Sequence, residues 1–154
     1  MKFQFGTSKD SYELKKMKNT SGREGQGLIC EVHKNGKLYF TYADYGDGGM
    51  ADVDPRNVRE EFDKVVEGIT YEFYGETGNH NTETIVGEME MVTRLAKKCK
   101  TQTLIQKKAD LDNVLCLKAP YSEGVKKHIY TKFKPEEVTI LNELYSSDVF
   151  VFKK

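Results

Sequence analysis

Residues 27–60 read GLICEVHKNGKLYFTYADYGDGGMADVDPRNVRE, and this stretch decides the fold class. Two apolar runs flank Asn35-Gly36. That pair is favoured in a type I′ turn because both central residues need positive φ, so the stretch predicts a β-hairpin. The second run ends in an aromatic and acidic corner, Tyr42-Ala43-Asp44-Tyr45-Gly46-Asp47. A short strand over Met50 to Val53 follows, and Pro55 breaks it.

A plain two-residue loop sets the cross-strand partners. Val32 then faces Tyr39, Cys30 faces Thr41 and Leu28 faces Ala43 on one side of the sheet. Ile29 with Tyr42, Glu31 with Phe40 and His33 with Leu38 lie on the other. The first set is small and mostly apolar and suits a core, which takes Tyr39 inward. The second leaves Phe40, Tyr42 and Tyr45, with Asp44, as the exposed candidates for a ligand corner.

Working outward, Lys2 to Gly6 alternates as a short strand. Ser8 is placed to cap a helical turn or two over Asp10 to Met17, with a polar connector from Asn19 to Gly25. Arg56 to Glu60 opens a helical turn that leads through Phe62, Val65 and Val66. Ile69 to Tyr74 alternates as a strand, and Thr77 to Asn81 reads as a loop at a domain boundary. Residues 82–99 read as helix or as hairpin. Ile85, Met89, Val92 and Cys99 fall at helical spacing and favour helix, while Gly87 and the threonines weigh against it. Short strands are expected at 101–106, 113–118, 128–133, 138–141 and 148–152, punctuated by Pro120, Gly124 and Pro135.

With 154 residues, the chain has room for one compact domain or two very small ones. Charged residues make up 31% and hydrophobic ones 38%, and no apolar run approaches bilayer length. Residues 1–10 lack the apolar run of a signal peptide, so a cytoplasmic protein with no membrane partner is expected. Cys30, Cys99 and Cys116 form no CxxC pair, which argues against a disulfide scaffold or a structural zinc site.

The net charge of zero hides a segregation. Residues 44–67 hold eight acids and three bases, whereas residues 94–108 hold six bases and no acid. Residues 118–134 hold five lysines against Glu123. Such polarity steers charged partners even when the total cancels, although each run also serves as ordinary solvated surface.

In order, Gly27 to Val32, Leu38-Tyr39-Phe40, Asp44-Tyr45-Gly46-Asp47 and Asn57-Val58-Arg59 resemble a Tudor domain of the SH3-like barrel class. Ala43 before the Asp-Tyr-Gly, Asp47 in place of the usual asparagine, and the lack of a strand-opening tryptophan depart from that pattern. A fainter, basic copy runs over residues 113–142, from Val114 to Leu117, through Ile129 to Phe133, to Pro135-Glu136-Glu137-Val138. The resemblance implies a mainly β (α+β) protein of two small SH3/Tudor-like barrels with one or two short helices, divided as 1–76 and 77–154. A small chain of this style is also similar to the early DNA-binding transcription modifiers of T-even-type bacteriophages, which would place it in a host cytoplasm.

Three functions follow as expectations. The first is non-enzymatic, largely sequence-independent DNA binding that modulates transcription or nucleoid organisation. Its backbone contacts would come from Arg94, Lys97, Lys98, Lys100, Lys107, Lys108, Lys126, Lys127 and Lys132. The second is recognition of a protein partner through Phe40, Tyr42, Asp44 and Tyr45. Rings beside a carboxylate hold methylated cations or stack bases, and they equally fill a barrel core. The third is a small phosphodiesterase or hydrolase built on His80-Asn81-Thr82, although the second such triplet that two-histidine enzymes need is missing. Asp44, Asp47, Asp52 and Asp54 do not have the spacing of a calcium loop. No P-loop, GxGxxG or GxSxG is present, so no catalytic residue, metal or cofactor is expected.

Overall fold

The computed structural model describes residues 1–101 and 149–154, with side chains along its last helix as far as Arg94. Its elements are β1 (Lys2–Phe5), β2 (Tyr12–Gly22), β3 (Gly25–Lys34), β4 (Lys37–Ala43), β5 (Asp52–Asp54), α1 (Val58–Val66), β6 (Thr70–Phe73), β7 (Glu76–Asn79), α2 (Thr82–Thr101) and β8 (Val149–Phe152). Among the described residues the protein is mainly β, with two helices and a curled, half-barrel sheet. That sheet has the order β5-β4-β3-β2-β1-β8, and β6-β7 forms a separate two-stranded hairpin.

The core lies on one face of the curled sheet. Phe3 and Phe5, Tyr12 and Leu14, Leu28, Cys30 and Val32, and Phe40 and Tyr42 alternate along successive strands and are all buried. Helix α1 covers that face with Val58, Phe62 and Val66. Phe62 is fully buried among the rings of Phe5, Tyr12, Tyr39 and Phe40, with centroids 5.1–6.2 Å away. Helix α2 brings Ile85, Val86, Met89 and Val92 into the same cluster, so residues 82–99 are helical as their spacing favours. Asn81 caps α2 by accepting the Thr84 amide (3.0 Å). Asp63 of α1 accepts both the amide and the hydroxyl of Thr82 (2.8 and 2.6 Å).

The turn at Asn35-Gly36 has φ of 50° and 81°, as that pair requires. The register beyond it differs from the plain hairpin. Lys34 pairs with Lys37 and His33 with Leu38, but Val32 then pairs with Phe40, Glu31 with Thr41 and Cys30 with Tyr42. Tyr39 is the extra residue of a β-bulge. Because side chains alternate, one inserted residue exchanges the two faces of the rest of the strand. Phe40 and Tyr42 therefore point into the core at 1% and 4% exposure, while Tyr39 sits at its rim and donates its hydroxyl to Glu61 (2.6 Å).

Strand pairing corrects other expectations as well. Residues 12–22, read in part as a helical turn and a connector, are strand β2. Tyr12 and Leu14 bury against Phe5 and Val32, and the strand continues past a bulge at Lys16, whose φ is +52°. The connector is a tight hairpin, with Gly22 paired to Gly25. Residues 77–79, read as part of a loop, belong to strand β7, which pairs with β6 and in which the expected division at 76/77 falls. Strand β8 lies parallel to β1, pairing Phe3 with Phe150 and Phe5 with Phe152. The strands expected over 101–141 and the second barrel lie outside the described residues, apart from Thr101 itself, which ends α2.

Candidate functional site

The acidic aromatic corner is first of all a clasp between two hairpins. Asp44 donates its amide to the Leu28 carbonyl (2.8 Å) and accepts the Thr20 hydroxyl on its own carbonyl (2.6 Å). Its carboxylate accepts the Gly46 amide (2.8 Å). The Gly46 carbonyl accepts the Glu24 amide (2.8 Å), and the Asp47 carboxylate accepts the Arg23 amide (3.2 Å). Glycine is required here. A Cβ on Gly46, where φ is +72°, would stand 2.2 Å from the Gly25 carbonyl oxygen.

The structure therefore splits the expected ligand corner. Phe40 is core, and Tyr45 is about half exposed on the outside of the clasp. Tyr42 and Asp44 meet again elsewhere, in a pocket of about 280 Å³ between the sheet and α2. Asn19, Gln26, Leu28, Tyr42 and Asp44 line it from the sheet. Glu83, Thr84 and Glu90 line it from α2, where Gly87 presents no side chain. Arginines bracket this pocket. Arg59 pairs with Glu83 and donates to the Ala51 carbonyl. Arg94 pairs with Glu90 (2.7 Å) and donates to Asn19 (2.5 Å). Burial, then the Asp44 and Glu83 charges, hold the Tyr42 hydroxyl well above the usual tyrosine range, so it stays protonated.

Glu83, Glu90 and Asn19 escaped the reading of the sequence because no local motif joins them. The one trace was Gly87, a residue unfavourable in a helix interior yet set within a helical run.

His80 is buried against the Tyr71 ring (4.9 Å) and shares a hydrogen bond with the Thr84 hydroxyl (3.0 Å). Burial lowers its pKa from the ordinary 6.5, which favours the neutral imidazole. Thr82, the third member of the His80-Asn81-Thr82 triplet, is fully buried and committed to Asp63.

Of the expected phosphate-binding bases, Arg94, Lys97, Lys98 and Lys100 belong to the last two turns of α2. Lys107, Lys108, Lys126, Lys127 and Lys132 lie outside the described residues. No described helix is long and apolar enough to cross a membrane. Comparison of the chain with protein-family models, curated proteins and solved structures gave no match.

Proposed function

We propose that this chain is a non-enzymatic DNA-binding protein that contacts backbone phosphates with little sequence preference and modulates transcription or nucleoid organisation. What carries the reading is the course of charge along α2. Its first half packs into the core and carries Glu83, Glu88 and Glu90. Its last two turns carry Arg94, Lys97, Lys98 and Lys100, and the base-rich run continues to Lys108. Along the sequence, a helix whose first half is anchored in the core thus passes from an acidic stretch into a cationic one. Residues 1–93 hold 11 bases and 17 acids, whereas residues 94–154 hold 13 bases and 7 acids. The acidic body repels phosphate and the basic half attracts it, which orients the molecule on a polyanion. A Tudor/SH3-like identity for the curled sheet, and a second, basic barrel over 113–142, belong to this proposal.

The test is a gel shift of the full chain on duplex DNA of unrelated sequences across a salt series. Affinity should be similar between sequences and fall steeply with salt. Replacing Lys126 and Lys127 with Glu should weaken it on every sequence and flatten the salt slope by about one for each phosphate that is no longer neutralised. Unchanged affinity in that double variant, or none in the parent, overturns the reading.

A further inference from the structure

The pocket between the sheet and α2 combines two independent observations. Its wall is rich in carboxylates, and it is lined by a buried polar side chain that has no partner. Tyr42 is 4% exposed, yet among the described residues its hydroxyl makes no hydrogen bond. The one fully buried side-chain polar atom without a partner among the described residues is His33 Nδ1, so the Tyr42 hydroxyl is not sealed away; it opens onto the pocket that Asp44 and Glu83, the charges acting on it, also line. Arg59 and Arg94 each occupy one oxygen, Oε1, of Glu83 and Glu90. The Asp44 carboxylate uses only Oδ1, towards Gly46. One oxygen of each carboxylate is left over as an acceptor. Three carboxylates against two arginines also leave one net negative charge. The occupant these features select is a single cation with several N–H donors.

We propose that this pocket binds an unmethylated guanidinium or primary ammonium head group, with Tyr42, Asp44, Glu83 and Glu90 as its ligands. Its volume of about 280 Å³ admits the head of such a group together with several waters. Tyr42 is the one ring among the lining residues, so a methylated cation would lose donors to the carboxylates without an aromatic cage to replace them. The missing side chain at Gly87 keeps the space open, since a Cβ there would meet nothing within 4 Å. This site is separate from the bases proposed to meet DNA. It can bind whether or not they do.

The test uses the full ¹⁵N-labelled chain and three probes: agmatine, the peptide acetyl-Gly-Arg-Gly-amide, and the same peptide with asymmetrically dimethylated arginine. Saturable amide shifts centred on Gly27, Asp44, Thr84 and Gly87 are expected with at least one unmethylated probe, and weaker ones with the methylated peptide. Tighter binding of the peptide identifies a protein side chain as the natural ligand, and tighter binding of agmatine a free small cation. Tyr42→Phe keeps the ring and should weaken binding roughly ten- to a hundredfold, the worth of one hydrogen bond to a charged group. Gly87→Leu should fill the pocket and abolish binding while leaving the sheet's amide spectrum in place. The proposal fails if neither unmethylated probe shifts these amides, if Gly87→Leu binds as the parent does, or if the methylated peptide binds tightest.

Discussion

Gly27 and Gly87 line the same pocket, and replacing them with alanine should act in opposite directions. A Cβ on Gly27 would stand 2.2 Å from the Asp44 carbonyl oxygen and 2.5 Å from the Thr20 hydroxyl, so the clasp must open to admit it. Gly27→Ala should cost about 1–3 kcal/mol, as other overpacked positions do. Gly87→Ala meets open space and removes a glycine from a helix interior, which should add about 0.5–1 kcal/mol. Urea melts of the two variants would show the split. Two losses of similar size would contradict it.

His80 gives the residue-scale dependence on pH. Its folded pKa lies below the ordinary 6.5, so the unfolded chain takes up the proton more readily than the folded one. Its contribution is therefore complete above pH 6.5 and declines as the pH falls through and below that value. The melting temperature should drop between pH 7.5 and 5.5, and His80→Gln should drop less. An equal drop in parent and variant would rule out His80 as the source.

At the scale of elements, α1 is held to the sheet chiefly through Phe62 and the four rings around it. Phe62→Ala should cost about 3–5 kcal/mol, a large share of the roughly 5–15 kcal/mol that holds a domain of this size. Circular dichroism during denaturation should show that loss, and a loss below about 1 kcal/mol would mean that α1 docks by other means. Elements with an unbroken period were legible in the sequence. The Asn35-Gly36 turn, the α1 stripe of Val58, Phe62 and Val66, and the α2 stripe of Ile85, Met89 and Val92 all fall where their spacing puts them. Bulges hid the rest. The inserted Tyr39 exchanged the faces of β4, so Phe40 and Tyr42 read as exposed when they are core. The inserted Lys16 broke the alternation of β2 after Leu14 and made a strand resemble a lysine-rich helical turn. The pocket was least legible, because Asn19, Asp44 and Glu90 meet only after β2, β4 and α2 have packed.

For the molecule as a whole, the pairing of β1 with β8 joins residues about as far apart in sequence as the chain allows. Phe3 touches the rings of Phe150 and Phe152 (6.2 and 5.9 Å), and Phe5 stacks on Phe152 at 5.4 Å. Deleting residues 149–154 should remove about 1.5–3 kcal/mol for each of the two buried rings and uncover Phe3 and Phe5. The deletion variant should bind a hydrophobic dye such as ANS and unfold at lower urea. A midpoint equal to that of the full chain would show that β8 is dispensable. This parallel pair also orders events in time. A chain emerging from the ribosome presents β1 to β4 early, with one flank of β1 still unpaired. The strand that covers this flank is made only after everything between α2 and β8 has been synthesised. Until then the two phenylalanines of β1 lack their last neighbours, and the nascent protein must keep an open, sticky seam from finding another chain first.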